Sequence, residues 1–278
     1  MQLYFTPLSP AEMTAKKLVL SLMSVTDHER QPAANLVASG EVFGIEPTAM
    51  RMAITRLVKE GILDAVDRGI YTTGPAGHAL RTRIASWETA MAEIRPWLGD
   101  WLVVQCDHLG RTETTRVRSR ERALRLGGFA ASPSGLWVRP NNLAASLEDI
   151  RGSLLKVGLD HEALIFVISQ AVLPVGQSWA DLWSAEELTA SYEAAVEAMA
   201  KSAKAIQTMN EAEAAKETLL VGQSVIRLIS FDPLLPEELI DRAHFERLVA
   251  EMKSFNALGV QAWKRFYASL AKARRTSQ

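Results

Sequence analysis

The chain has 278 residues and a single cysteine, Cys106. One thiol excludes an internal disulfide framework and a four-cysteine zinc site, and a reducing compartment is the expectation. The five histidines (His28, His78, His108, His161 and His244) do not fall at metal-ligand spacing. A glycine-rich nucleotide loop and a Gly-x-Ser-x-Gly elbow are both missing. No catalytic residue, metal site or cofactor is therefore expected. Charge of one sign is also missing: 31 basic residues stand against 32 acidic, for a net charge of −1. That excludes a protein that coats nucleic acid without sequence preference, but leaves room for one local basic face. No apolar run reaches the roughly 18 residues of a membrane span. Residues 1–10 lack the basic and apolar regions of a signal peptide, so a cytoplasmic location is expected.

What the chain does have is 48% hydrophobic residues, enough for real cores, and a length that suits two or three domains. The most informative stretch is 46–61, Glu-Pro-Thr-Ala-Met-Arg-Met-Ala-Ile-Thr-Arg-Leu-Val-Lys-Glu-Gly. Pro47 suits a first helical turn and Gly61 a C-terminal cap. Met50, Ile54, Leu57 and Val58 make an apolar face at helical spacing, and Thr48, Arg51, Met52, Thr55 and Lys59 point elsewhere. A strand over 62–66, a turn Asp67-Arg68-Gly69 and a return strand over 70–73 follow. Helices over 11–25 and 33–42 precede it. Three helices and a hairpin in about 65 residues predict a winged helix-turn-helix, with the third helix for the major groove and the hairpin for backbone or minor groove.

Residues 79–96 read as a connecting helix that Pro96 ends. A strand over 101–106, a helix over 118–127, a strand over 135–139, a partly helical 143–155 and a strand over 163–169 suggest a small ferredoxin-like α+β domain over 97–172. A short strand near 154–157 is a further possibility within it. Beyond the linker Leu173-Pro-Val-Gly176 the chain reads as helical, over 179–203, 212–231, 236–251 and 256–273. The expected division is 1–78, 79–96, 97–172 and 173–278. The fold class is multidomain α+β.

Arg51 and Thr55 share a face one turn apart. Arginine reads guanine with two hydrogen bonds, and threonine offers a hydroxyl or methyl contact. Thr48 suits base or phosphate, Met52 shares the outward side, Lys59 suits phosphate, and Arg68 at the hairpin tip suits the backbone. Arg56 suits either DNA or an ion pair with Glu60 at i+4. Arg111, Arg116, Arg118, Arg120, Arg122 and Arg125 form the densest basic run. It admits three readings: an anion site, an auxiliary DNA surface, or a solvated helix face with internal ion pairs. Cys106 reads as a small buried hydrophobe. Trp97 and Trp101 flank a Gly-Asp turn and are expected to pin the central domain to the connecting helix; each tryptophan reads as core before ligand cage.

Three strings carry a family resemblance: Trp97-Leu-Gly-Asp-Trp-Leu-Val-Val, then Leu126-Gly-Gly-Phe with Gly135-Leu-Trp-Val-Arg-Pro140, then Asp232-Pro-Leu-Leu-Pro-Glu-Glu-Leu239. With Trp179-Ala-Asp-Leu-Trp183, Tyr192 and Phe266-Tyr267, the chain from about 16 to 267 resembles the PaaX family of bacterial transcriptional regulators. The hairpin departs from it in holding one arginine, Arg68, where relatives carry several basic residues. The resemblance implies a homodimeric repressor of a catabolic operon, bound to a palindromic double-stranded operator and released by an acyl-coenzyme A thioester. On that reading Arg111, Arg116 and Arg118 meet the effector's phosphates, Trp137 its acyl group, and the helical C-terminal domain holds dimer and effector. The rival readings are a metal-dependent nuclease on the central fold, with Asp107 as its one carboxylate at a strand end, and an interaction module without DNA binding.

Overall fold

The computed structural model describes residues 4–25, 30–78, 86–110 and 112–276. Two compact units divide the chain. One, here the N-terminal unit, comprises Phe5–Glu88, Ala194–Ile226 and Leu248–Gln278; the other, the central unit, comprises Met1–Tyr4, Thr89–Glu193 and Arg227–Arg247.

In the N-terminal unit a 3-10 turn, Pro10–Glu12, precedes α1 (Ala15–Val25). Then come β1 (Gln31–Pro32), α2 (Ala33–Val42), α3 (Pro47–Lys59), β2 (Leu63–Asp67) and β3 (Ile70–Thr73). The three strands form an antiparallel sheet in the order β1-β3-β2. Gly61 takes a φ of 67°, the left-handed conformation that closes α3 without a Cβ clash. Leu18, Leu22, Leu36, Met50, Ile54, Leu57 and Leu63 form one buried core. Ala215, Leu219, Trp263 and Phe266 belong to the same core. They come from α7 (Glu211–Ser230) and α8 (Ala243–Thr276), which with α6 (Ala185–Ala205) make the helical C-terminal region. A segment of about 65 residues has little apolar surface to close a core alone. The C-terminal helices supply the rest, so the compact units are two where the sequence suggests three plus a connector.

The central unit runs β4 (Trp101–Gln105), α4 (Thr114–Leu126), β5 (Ala130–Ala131), β6 (Trp137–Pro140), α5 (Leu147–Lys156) and β7 (Leu164–Ile168). The sheet order is β5-β6-β4-β7, with every neighbouring pair antiparallel. Side chains alternate across it. Leu102 and Val104 face a core with Leu124, Ile150 and Leu154, while Val103 and Val138 pack under Trp179.

Several elements differ from the sequence reading. Of the connecting helix expected over 79–96, residues 79–85 lie outside the described residues, and Ser86–Glu93 is a 3-10 helix rather than an α-helix. Trp87 and Ala90 are its buried residues, and their spacing of three suits the tighter helix. Residues 154–156 are the end of α5, not a strand; Ile150 and Leu154 are buried at helical spacing, and the Ser146 hydroxyl caps the start by accepting from the Asp149 N–H. The extra strand is β5 instead. The helices expected over 236–251 and 256–273 join as one, α8, which starts only at Ala243, so 236–242 are turn rather than helix. Ser254 does not break it, because its hydroxyl turns back to the Ala250 carbonyl at 3.4 Å. Trp101 does not serve a connecting helix. Its ring lies 5.1 Å from Trp97, 5.5 Å from Trp179 and 6.4 Å from Trp183, covering the second face of the sheet. Among the described residues no helix is long and apolar enough to cross a membrane.

Candidate nucleic-acid interface

Burial of Met50, Ile54 and Leu57 fixes which way α3 faces. Thr48, Arg51, Met52, Thr55, Arg56 and Lys59 are all exposed, and Met52 is 73% exposed. An exposed methionine between arginine and threonine gives an outward strip of mixed apolar and donor character. The Thr55 hydroxyl donates to the Arg51 carbonyl at 2.9 Å, which leaves its methyl and its two acceptor lone pairs for other contacts. Arg56 is held through Nε at 2.9 Å by Glu60, and Lys16 donates to the other Glu60 oxygen at 2.7 Å. These hydrogen bonds hold the Glu60 carboxyl below its ordinary value. Of the two readings open for Arg56, the ion pair is thus the one present; exposed pairs of this kind contribute little. Arg51 has no ion pair among the described residues.

The hairpin pairs Leu63 with Thr73 and Asp67 with Ile70, with an irregularity between Ala65 and Asp67. At its tip Arg68 is exposed, and its N–H donates to Asp67 Oδ1 at 2.6 Å. The carbonyl of Gly69 accepts from the N–H of Ala33 at 2.8 Å, so the turn is tied to the first residue of α2. β1 reinforces this by pairing Pro32 with Ile70.

Of the four expected effector residues, three are among the described ones. Arg111 lies outside the described residues. Arg116 donates to Asp160 at 2.6 Å, and the buried Arg120 donates to the other Asp160 oxygen at 2.5 Å. Burial pushes the Asp160 carboxyl up, but the hydrogen bonds from Arg120 and Arg116 outweigh it and hold it below its ordinary value. Arg118 is exposed. Trp137 is a core residue, 8% exposed among Leu124 and Leu154, with the Arg125 guanidinium 5.2 Å from its ring centre. The alternation of β6 puts it on the face that α4 covers, so it cannot line an open acyl pocket. Cys106 is in the same core, where burial pushes its thiol up to about 11. Among the described residues no three His, Cys, Asp or Glu side chains gather as a metal would need. The His108 ring bonds the Glu162 carbonyl.

One polar cluster was not legible in sequence. Arg139, 3% exposed, donates to the carbonyls of Gly127, Pro140 and Pro233 and to Asn142 Oδ1. Asn142 in turn donates to the Leu234 carbonyl. Asp232 accepts from the Tyr192 hydroxyl at 2.5 Å and from the Leu234 N–H at 2.8 Å. The Asp232-Pro-Leu-Leu-Pro string is thus a turn held by Arg139, Asn142 and Tyr192, with Leu234 at a φ of 50°. Burial pushes the Asp232 carboxyl up to about 6, against the hydrogen bonds and the Arg139 charge. A carboxyl raised on folding favours the native state when protonated, so its contribution falls as pH rises from about 4 through about 6. Thermal melts of the protein should accordingly lose about 2 kcal/mol over that window relative to Asp232→Asn. Parallel pH profiles for the two proteins would sink this.

No family model matches the chain, and no curated protein matches it. Among solved structures it is similar to an uncharacterized protein, Rv0674 from Mycobacterium tuberculosis. The likeness has 23% identity and a TM-score of 0.63, and covers 91% of this chain and 98% of that one. At that identity it speaks for the fold alone.

Proposed function

We propose that the protein is a sequence-specific DNA-binding repressor of the PaaX kind. The observation that carries this is the outward face of α3. Its apolar side is sealed in the core, and Thr48, Arg51, Met52 and Thr55 stand exposed beside a tied-down hairpin turn. The element order α1-β1-α2-α3-β2-β3 with sheet order β1-β3-β2 supports a winged helix-turn-helix, and the antiparallel order β5-β6-β4-β7 supports a ferredoxin-like central fold. A reader of a palindromic operator is a twofold dimer, with its two copies of α3 about 34 Å apart on one face. Release follows from an acyl-coenzyme A thioester that binds the DNA-incompetent arrangement more tightly. Arg116 and Arg118 remain the phosphate candidates, and the acyl group needs lining residues other than Trp137.

The test begins with selection of operator sequences from random duplex DNA by the full-length protein. Arg51→Ala is then expected to weaken the selected site by about 1–3 kcal/mol and to relax preference at one base pair. Gel-shift titration against singly mutated sites measures both. A loss of equal size on random DNA would reassign Arg51 to phosphate, and selection of no sequence would end the reading. Calorimetric titration with acyl-coenzyme A thioesters and free acids, followed by gel shift, tests the effector separately.

A further inference from the structure

The hairpin turn holds one cation, Arg68, and the far end of the sequence brings another, Arg274, to the segment that ties this turn down. The core residues Trp263 and Phe266 seat α8 against α1, α2 and α3, and the Tyr267 and Ser39 hydroxyls lie 3.1 Å apart. Two turns further on, the Arg274 guanidinium donates to the Ala34 carbonyl at 3.2 Å and reaches Asn35 Oδ1 at 3.5 Å. Ala34 is the residue after Ala33, whose N–H binds the Gly69 carbonyl of the hairpin turn. The start of α2 therefore touches both the hairpin turn and the end of α8. Both acceptors of Arg274 are neutral, so its charge is not cancelled. Arg275 is exposed, with no ion pair among the described residues. Pro32 at the head of α2 supplies no side-chain cap, so the positive end of that helix adds to the same place.

We infer that Arg68, Arg274 and Arg275 form one phosphate-binding cluster, which grips the DNA backbone beside the groove that receives α3. The inference rests on the DNA-binding reading above and adds a contact surface from the C-terminal helix. It accounts for a reading head with a single basic residue in its hairpin: the missing charge is delivered by α8. Contacts of this type position the protein and carry no base preference.

The experiment uses full-length protein and its selected operator, titrated between 50 and 200 mM salt. Each lost phosphate contact lowers the slope of log K against log salt by about 0.9. The R274A/R275A double variant should lose about 1.8 from the slope, equally on specific and random duplexes, and should keep its base preferences. R274K/R275K keeps the charge and should restore most of the slope. K264A/R265A, two exposed cations about 15 Å back along α8, should leave it unchanged. An unchanged slope in R274A/R275A, with normal wild-type binding, overturns the cluster and leaves the DNA-binding reading standing. An equal drop in both alanine pairs also overturns it, because the effect is then diffuse charge. Wild-type protein that binds no duplex fails the parent reading and this inference together.

Discussion

Replacing Arg139 with methionine is expected to destabilise the protein by about 3–5 kcal/mol, although the two side chains fill similar space. The guanidinium is 3% exposed and its donors serve three main-chain carbonyls and one amide oxygen. Burial lowers its pKa to about 10, with Asp232 and Glu93 opposing, so it stays charged at neutral pH. A methionine leaves the Gly127 and Pro233 carbonyls without this donor in a site that excludes water, and a buried unpaired acceptor costs about 1–3 kcal/mol. Gly128 shows how tight the site is. At a φ of 76°, a Cβ there would lie 3.0 Å from both the Arg139 guanidinium and the Pro233 carbonyl. Urea unfolding would measure the loss. Arg139→Lys keeps the charge but not the fork, and should fall between wild type and methionine. A methionine variant within 1 kcal/mol of wild type would mean the Asp232 turn holds without Arg139.

The second large effect is expected at Asp160. Its two oxygens serve two arginines of α4, one exposed and one buried. Asp160→Ala leaves the Arg120 guanidinium, 6% exposed, with its carboxylate gone, and a loss of about 3 kcal/mol follows. Arg116→Ala removes only the exposed partner and should cost much less. The Asp160 carboxyl sits below its ordinary value, so the pair's contribution is full above the unfolded pKa of about 3.9 and disappears as pH falls through the lower folded one. Chemical unfolding at pH 7 and pH 3 checks both statements. If Asp160→Ala and Arg116→Ala cost the same, the buried partner is not the one that matters.

The helices of the N-terminal unit were legible because local chemistry marks them. Pro32 and Pro47 stand at the heads of α2 and α3, Gly61 at a tail, and Met50, Ile54 and Leu57 keep the helical period between. β3 was legible from its tight turn. β1 and β5 were not, since a two-residue strand has no period to detect and exists through its partner. The 3-10 helix at Ser86–Glu93 and the unbroken α8 depend on packing that propensity does not encode. On the candidate interface, the outward residues of α3 followed from its apolar stripe. Arg274 did not, because its place at the start of α2 is set across 240 residues of sequence. For Trp137 the sequence left core and ligand both open, because an aromatic in an alternating strand gives no sign of which face is covered; it lies in the core.

A buried thiol held up to about 11 makes Cys106 nearly inert toward alkylating probes at neutral pH, since the reactive thiolate is then a minute fraction. It is also the chain's only cysteine. Met52→Cys, at an exposed position of α3, would therefore carry a spin label or fluorophore without any other cysteine having to be removed. In the dimer proposed above, one labelled position per chain turns the separation of the two α3 helices into a distance readable in solution, with and without duplex.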